Sequence, residues 1–398
     1  MKSILAYLHL NKIGALELLY AFYMILSGYV YGPLHGTLIV LLLMTSLSFL
    51  RKRNTYQNMK ELFWLTGFVL MHELILSFHI IVPDYMLNNL FTTILVCVCI
   101  FPIAYKMDYE RMLGSLNWVA ILSMAGIVYH FILIQSGHEV RPIPLPFMPD
   151  MNSSSRLYEF LQRPCSFYWE PAAFATFMMI PLFLALYEKK YIWAGIITTS
   201  MFLSTSSTGI IMSLVMIMAT IFIQDVKIRY KIWLAIVGAF LIWFLLNSSL
   251  FEAGVKKIVE TDEESTIRLV NGPALVFNMP LQELVTGMKA ANVHDYWKEG
   301  GFHSIDIIER DGFVFVPTFW LTLAKYGIFG LLLLLYLYIS FLKKRELIPY
   351  IVVIFISMFF QSLMIGGAGF AFQLIFLYVF RGYLERNNIK SSTIKFQI

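Results

Sequence analysis

The sequence predicts an all-α fold, a polytopic bundle of about twelve transmembrane helices with one large polar loop. Hydrophobic residues make up 59% of the 398-residue chain, and they occur in long runs separated by short basic patches. Each run is about 20 residues, the length that a helix needs to cross a bilayer. The runs at 38–50 and 330–341 are continuous and lack the alternation of a membrane β-barrel strand. Since only helices and closed barrels satisfy their backbone in lipid, a helical bundle is predicted.

The order of the runs divides the chain into spans and two longer polar stretches. We predict spans at residues 13–31, 33–50, 61–82, 88–105, 115–136, 171–187, 191–206, 208–224, 232–249, 314–342, 347–364 and 367–380. Five regions follow: N-terminal transmembrane helices at 1–136, a loop at 137–170, central transmembrane helices at 171–249, a large loop at 250–313, and C-terminal transmembrane helices with a tail at 314–398. Chemistry or recognition is expected at the large loop.

Basic residues set the orientation of the bundle, because short cytoplasmic loops are enriched in Lys and Arg. With both termini in the cytoplasm, 20 of the 30 Lys and Arg residues are cytoplasmic, nine lie in the two external loops, and Lys325 lies at the edge of a span. The formal net charge of +5 therefore reflects membrane orientation, and nucleic acid is not an expected partner. The large loop is acidic, with eleven Asp and Glu against six Lys and Arg.

The segment from Arg163 to Pro171 leads into the sixth span and has two interpretations. In the structural one, Pro171 takes the first helical position after Glu170, and Tyr168 and Trp169 lie at the membrane interface. In the functional one, Arg163 binds phosphate, and Glu170 places a carboxylate near a reacting hydroxyl group. Both interpretations stay open at this point.

Residues with small hydroxyl side chains fill the outer turn between the seventh and eighth spans, at 204–209 (STSSTG). Hydroxyl groups and unpaired N–H groups at a helix N-terminus form a natural anion-binding site. The alternative is ordinary helix capping together with close packing of small residues.

The large loop contains one predicted helix. Residues 262–265 (DEES) are typical of a helix start, and apolar residues then recur at helical spacing as far as Pro280. Arg268 projects from this helix, and Gly287 follows it after a predicted turn. His303 is a single histidine farther along the loop, which alone is a weak sign of a site.

Ionisable residues inside the predicted spans are also candidates, because such a group is costly in a bilayer and often functional. His72 and Glu73 lie within the third span, where polar contacts between helices are favoured over a proton path. Lys325 precedes the glycine-containing stretch 327–330. The tenth span therefore begins there in one interpretation, with 314–324 lying along the outer surface.

The cysteines do not indicate a disulfide framework or a metal site. Cys97 and Cys99 lie inside a predicted span, and only Cys165 faces outward. No carboxylate pair or His/Cys cluster in the sequence has convincing metal-ligand spacing. Metal-independent chemistry is therefore expected.

Taken in order, these segments resemble the O-antigen polymerase/ligase family of bacterial inner-membrane glycosyltransferases. The family pattern has an Arg and a Glu-Pro leading into a span, then a hydroxyl-rich turn ending in Thr-Gly. A large periplasmic loop with an Arg near its start follows, and then a span that opens with Gly-Ile-x-Gly. The corresponding residues are Arg163, Glu170 with Pro171, 204–209, Arg268 and 327–330. The resemblance covers roughly residues 160–342.

Two positions depart from the family pattern. Many members carry Arg where this chain has Ser207. The ligase branch has a His-Asn pair shortly before the Gly-Ile-x-Gly span, and residues 313–320 (FVFVPTFW) contain neither. The missing pair favours the polymerase branch, and it puts a catalytic role for His303 in doubt.

The resemblance implies a membrane bundle similar to the GT-C class of glycosyltransferases, acting on glycans linked to undecaprenyl pyrophosphate. A sugar hydroxyl of one lipid-linked unit attacks the anomeric carbon of another glycan, and undecaprenyl pyrophosphate leaves. Arg163 and Arg268 are expected to stabilise the charge that builds on the pyrophosphate, because a guanidinium group binds phosphate oxygens in pairs. Glu170 is the leading general base, and His303 is the second candidate.

Further residues are assigned to substrate binding. They are Ser204, Ser206, Ser207 and Thr208 of the turn, together with Tyr168 and Lys325. The expected partners are undecaprenyl-pyrophosphate-linked oligosaccharide, membrane lipid and a chain-length regulator protein. No cofactor is expected, since a cationic clamp on the leaving group can replace a metal ion. The expected location is the bacterial inner membrane, with the site on its periplasmic face.

Two alternative functions stay open. A ligase performs the same reaction but transfers the glycan to lipid A core or to protein. A flippase or other transporter makes no bond, and it predicts internal symmetry, charged residues deep in several spans and short external loops. This chain has few charges deep in its spans and one external loop of about 64 residues, which favours glycosyl transfer.

Overall fold

The chain is a helical bundle in a computed structural model that describes residues 2–31, 34–52, 58–77, 83–146, 148, 151, 163–223, 229, 232, 263–288, 296, 316–361 and 363–395. These residues form fourteen α-helices: α1 (Lys2–Tyr7), α2 (Ala15–Leu26), α3 (Gly36–Phe49), α4 (Lys60–Ser77), α5 (Pro83–Lys106), α6 (Tyr109–Gln135), α7 (Pro171–Tyr187), α8 (Tyr191–Leu203), α9 (Ser207–Ile223), α10 (Glu263–Asn278), α11 (Leu281–Thr286), α12 (Thr318–Phe341), α13 (Ile348–Ser357) and α14 (Ala368–Lys395). One turn of 3-10 helix, Arg345–Leu347, precedes α13. A two-residue antiparallel pairing of Val30–Tyr31 with Leu34–His35 precedes α3. The all-α prediction is confirmed.

Two of the described helices are long and apolar enough to cross a membrane: α6 with 27 residues and α12 with 24. Shorter apolar helices of 10–17 residues coincide with other predicted spans, among them α2, α3, α7, α8 and α9. The predicted span at 232–249 lies outside the described residues, apart from position 232. The number of twelve spans therefore stays a prediction.

Several helix ends follow from local sequence signals. Pro171 opens α7 at its first turn, and α10 begins at Glu263, within the predicted start signal. By contrast, α13 ends at Ser357, before the predicted 364, and α14 continues to Lys395, beyond the predicted 380. Hydropathy marks only the apolar part of a helix, so the polar continuation of α14 was not predicted.

Two helices form the centre of the bundle. Nearly all residues of α7 are buried, and the stretch 370–380 of α14 is buried on every side. Aromatic rings join them: Phe183 lies edge-on to Phe376 at 5.7 Å and to Phe380 at 5.3 Å between ring centroids. A helix that is apolar all round is expected to lie inside a large core or a membrane.

The peripheral helices expose many large apolar side chains. They include Leu42, Leu43, Phe63, Trp64, Phe91, Ile132, Ile192, Phe222 and Leu332. Large exposed apolar patches are rare on water-soluble monomers. This distribution is consistent with the predicted membrane association.

Helix α12 is divided at Gly327, whose backbone is not helical (φ 66°, ψ −173°). Before the break, Leu321 and Ala324 belong to a small hydrophobic cluster shared with α10 and α11. After it, Leu334 and Leu337 belong to the main core. The stretch 318–326 is therefore helical and packs both with the large loop and, through Phe319 and Tyr326, with the main core, so it links that loop to the bundle.

Candidate functional site

The first two predicted segments meet at Arg163. Its Nε donates a hydrogen bond to Thr205 Oγ1 at 3.1 Å, and its Nη2 donates to the Thr205 carbonyl oxygen. Thr205 has a positive φ of 53°, as expected in a tight turn. The guanidinium group therefore lies beside the turn between α8 and α9, as expected if Arg163 and this turn bind the same anionic group.

The hydroxyl groups of this turn cap the two helices. Ser204 Oγ donates to the Met201 carbonyl at 2.7 Å and accepts from the Ser206 N–H at 3.4 Å. Ser206 Oγ accepts from the Gly209 N–H at 3.3 Å, which is an N-terminal cap of α9. These hydrogen bonds confirm the capping interpretation for both serines, and both side chains are buried. Binding of an anion by the turn stays a prediction.

The other two residues assigned from this turn open α9. Ser207 is its first residue and is half-buried, and Thr208 is the second and is buried. The N-terminus of a helix carries a partial positive charge. The turn therefore places that partial charge next to the Arg163 guanidinium group.

A buried histidine fixes the segment that carries Arg163 and Glu170. His130 of α6, 1% exposed, accepts the N–H groups of both Cys165 and Ser166 at its Nδ1, each at 3.3 Å. Its imidazole is therefore neutral in this arrangement, with its proton on Nε2. The Ser166 carbonyl in turn accepts from the Ile143 N–H at 2.8 Å. The segment is thus held between α6 and an earlier part of the same external loop.

His130 was missed by the sequence analysis. Its signal was an ionisable residue inside a predicted span, which is a functional candidate by default. Nothing local in the sequence indicates that its partners are backbone N–H groups 35 and 36 residues away.

Tyr168 is a structural member of the same segment. It is fully buried, and its hydroxyl is hydrogen-bonded to Ser123 of α6 at 3.0 Å. Its ring packs against Phe174 and Phe177 of α7, and burial raises the pKa of the Tyr168 phenol well above its usual value. The interfacial location expected for its ring is therefore not observed, and a substrate contact stays a prediction.

Glu170 is the N-cap residue of α7, as the structural interpretation predicted. Its carbonyl accepts the N–H groups of Ala173 at 3.1 Å and Phe174 at 3.3 Å, and Pro171 follows in the first turn. Its carboxylate does not cap the helix, and the side chain is half-buried. Its role as a general base is not tested by this arrangement.

Two further predicted residues belong to the large loop. The backbone of Arg268 lies in α10, but its side chain lies outside the described part of the structure. His303 also lies outside the described residues. The predicted pairing of Arg163 with Arg268 therefore stays a prediction.

Lys325 forms a buried ion pair. Its Nζ lies 2.9 Å from Glu73 Oε1 of α4, and the two side chains are 12% and 8% exposed. The Tyr326 hydroxyl donates to the same oxygen at 3.0 Å. Glu73 therefore makes a polar contact between helices, as predicted, and Lys325 has a counter-charge within the protein. Its assignment to substrate binding stays a prediction.

The large loop contacts the bundle close to this ion pair. His72 Nε2 lies 2.8 Å from the Thr286 carbonyl oxygen, and the Met288 N–H donates to the Ala324 carbonyl at 2.8 Å. Gly287 (φ 91°) and Gly327 (φ 66°) face each other: a Cβ on Gly327 would lie 2.8 Å from the Gly287 nitrogen. Only glycine tolerates both the backbone conformation and this close approach.

An open cavity lies at the other end of α6. It is lined by Asn11, Lys12, Ile13, Asp108, Glu110 and Arg111. Its residues have both signs of charge, and Lys12 is paired with Glu110. It is separated from His130 by most of the length of α6 and is not part of the candidate site.

Comparisons with protein-family models, with curated proteins and with solved structures found no match to this chain. The resemblance to the O-antigen polymerase/ligase family therefore depends on the sequence motifs and their order.

Proposed function

We propose that this chain is a membrane glycosyltransferase that polymerises undecaprenyl-pyrophosphate-linked oligosaccharide repeat units. The reaction takes place on the periplasmic face of the bacterial inner membrane, and its product is an O-antigen, a capsule or an exopolysaccharide. Both chain termini lie in the cytoplasm, in accord with the distribution of basic residues.

One observation carries the proposal: the contact between Arg163 and Thr205, which joins two motif segments of the family pattern. A guanidinium group there lies beside the N-terminal turn of α9, and α7 begins eight residues after Arg163. Positive charge and helix N-termini together favour binding of a diphosphate. This is the environment that a departing pyrophosphate needs, because its negative charge increases as the glycosidic bond breaks.

The bond changes follow from these groups. An acceptor hydroxyl oxygen forms a new bond to the anomeric carbon of the donor glycan. The bond from that carbon to the pyrophosphate oxygen breaks, and undecaprenyl pyrophosphate leaves with the electron pair. The hydroxyl proton passes to a base, for which we propose the Glu170 carboxylate, since it lies seven residues after Arg163 in the same fixed segment.

The hydrogen bonds that hold the segment from Arg163 to Glu170 support a catalytic role for its side chains. His130 and Ser123 of α6 hold the backbone and side chains between Arg163 and Glu170. A catalytic group has to be held within a fraction of an ångström of its productive position, and hydrogen bonds from a neighbouring element provide this.

The membrane setting is supported by α6 and α12, the two described helices of spanning length, and by the apolar outer surface. Lipid-linked substrates reach an enzyme from within the bilayer. A bundle whose outer helices expose apolar side chains, and which has a polar segment at one end, suits such a substrate.

The test is a gene deletion complemented with variants, followed by gel analysis of the surface polysaccharide. A single repeat unit on the lipid A core in the deletion strain supports a polymerase. Complete absence of capping with accumulated lipid-linked polymer means a ligase, and absence of periplasmic repeat units means a flippase. Arg163→Ala should reproduce the deletion, whereas Arg141→Ala, which removes an exposed arginine of the same loop, should restore long chains. Long chains from Arg163→Ala protein would remove this arginine from the mechanism.

A further inference from the structure

Helices α10 and α11 of the large loop expose three large apolar side chains at a spacing of four residues. Phe277 and Leu281 are 79% and 78% exposed, and Val285 is 39% exposed. Leu281 and Val285 lie one turn apart on α11, so they share a side of that helix. The Phe277 ring lies 6.3 Å from the ring of Trp320, which is half-buried in the first turn of α12. We call Phe277, Leu281 and Val285 the apolar row.

Two exposed polar residues beside the apolar row donate hydrogen bonds back to their own helices, and the half-buried Glu283 accepts one from the Tyr296 hydroxyl. Asn278 Nδ2 donates to the Ala274 carbonyl at 2.7 Å, and Thr286 Oγ1 donates to the Gln282 carbonyl at 2.9 Å. Such internal bonds satisfy a polar side chain where little water is present. Among the described side chains at 271–288, every exposed one is uncharged. A surface that faces water is about one-quarter to one-third charged.

The apolar row continues onto a helix of spanning length. The carbonyl of Val285 is the group that a Cβ on Gly327 would meet, and Ile328 and Phe329 beyond Gly327 are 45% and 57% exposed. Gly327 is the break between the two halves of α12. Helix α11 therefore ends beside the point where the second half of α12 begins, and the exposed side chains of Ile328 and Phe329 follow directly on that half.

From these observations we infer that the apolar row contacts the acyl chains of membrane lipids, so that α11 lies within the bilayer at its outer boundary. This depends on the membrane location in the proposed function but not on its chemistry. Interfacial helices bury exposed side chains such as Phe and Leu at the boundary between lipid headgroups and acyl chains. The partner of this part of the large loop is thus the lipid surface in which a lipid-linked substrate would be held.

The inference is tested by nitroxide labels on the full chain in lipid nanodiscs. Labels are attached to Leu281→Cys, to Val285→Cys and to Glu139→Cys, an exposed control position in the first external loop. The native cysteines are buried, and unsubstituted protein taken through the labelling gives the blank. Collision of each label with oxygen, which enters lipid, is compared with collision with a water-soluble nickel complex.

At positions 281 and 285 the oxygen collision frequency should exceed that of nickel, and at 139 the order should reverse. Nickel collisions at 281 and 285 as frequent as at 139 would mean a water-facing row and would overturn the inference. Low collision frequencies for both reagents would mean a protein cover, such as a second copy of the chain, and would also overturn it. The same labels on protein that also carries Arg163→Ala should give the same collision frequencies. The result for the apolar row can therefore be separated from any failure of the proposed glycosyl transfer.

Discussion

Arg163 binds Thr205, a residue 42 positions farther along the chain, through both the side chain and the backbone of that threonine. Two nitrogens of one planar group thereby fix the direction of the turn at 204–209. The turn has a positive φ at Thr205, which is unfavourable for a β-branched residue. The guanidinium contact offsets that cost and links the start of α7 to the junction of α8 and α9.

The two-nitrogen contact predicts that Arg163→Lys is defective although it keeps the charge. A lysine ammonium group cannot reproduce the planar fork. A charged hydrogen bond contributes about 1.5–3 kcal/mol, so its loss should lower the polymerisation rate roughly ten- to hundredfold. The measurement is the chain-length ladder of a complemented deletion strain. Thr205→Val should also shorten the chains, and more than Thr205→Ser, which keeps the hydroxyl. A full ladder from Arg163→Lys would contradict the contact.

The buried imidazole of His130 predicts a second effect. His130→Ala leaves the N–H groups of Cys165 and Ser166 without their acceptor, at a cost of about 1–3 kcal/mol each. His130→Asn places an oxygen near the position of Nδ1 and should recover part of this loss. The measurements are the thermal unfolding midpoint in detergent and the chain-length ladder. His138→Ala removes an exposed histidine just beyond α6 and is the control. Equal stability of all three variants would show that the imidazole does not support the segment.

The ion pair between Glu73 and Lys325 predicts a compensating double variant. Glu73→Gln or Lys325→Met alone leaves one charge buried without its partner, which costs about 3–5 kcal/mol. The two changes together remove both charges, so the double variant should unfold at a higher temperature than either single variant. A double variant whose loss equals the sum of the two single losses would mean that the charges do not interact.

The facing glycines predict a further difference in stability. Gly327→Ala adds a Cβ against the Gly287 nitrogen at a φ of 66° and should destabilise the protein by about 1–3 kcal/mol. Gly195→Ala is the matched control, since nothing lies within 4 Å of the added Cβ in α8. It should be neutral or stabilising by about 0.5–1 kcal/mol, because alanine favours a helix. Unfolding midpoints of the two variants, compared with the wild type, decide the point.

The environment of Cys165 predicts that its thiol reacts slowly with maleimide. Burial raises the pKa of this thiol from the usual 9.0 to about 12, and the thiolate is the reactive form. Three pKa units lower the thiolate fraction about a thousandfold at neutral pH, where the group stays protonated. Maleimide should therefore label native protein at Cys165 much more slowly than the exposed Glu139→Cys. Rapid labelling of native Cys165 would indicate an open segment.

Sequence patterns predicted the parts of the fold that depend on neighbouring residues. Pro171 after Glu170 indicated the start of α7, and the acidic cluster at 262–265 indicated the start of α10. Both signals act within one helical turn, so they can be read from the sequence.

Contacts between distant residues were not predicted in the same way. The sequence placed Arg163 and the 204–209 turn in one site only through the resemblance to a family. The acceptor role of His130 and the ion pair of Lys325 depend on how helices pack, which hydropathy does not specify. The pairing of Gly287 with Gly327 joins two elements 40 residues apart; Gly287 alone indicated a turn and Gly327 the start of a span, and neither indicated the other.

The break at Gly327 separates two packing environments along one helix. Leu321 and Ala324 on its N-terminal side share a hydrophobic cluster with α10 and α11, whereas Tyr326 just before the break and Leu334 and Leu337 after it belong to the main core. Rotation at a single glycine can therefore absorb a change in one part without shifting the register of the other. Substitutions between 263 and 288 that leave the contact between Gly287 and Gly327 intact should accordingly be tolerated independently of those in the second half of α12, which would let the large loop diversify while the main core stays constant.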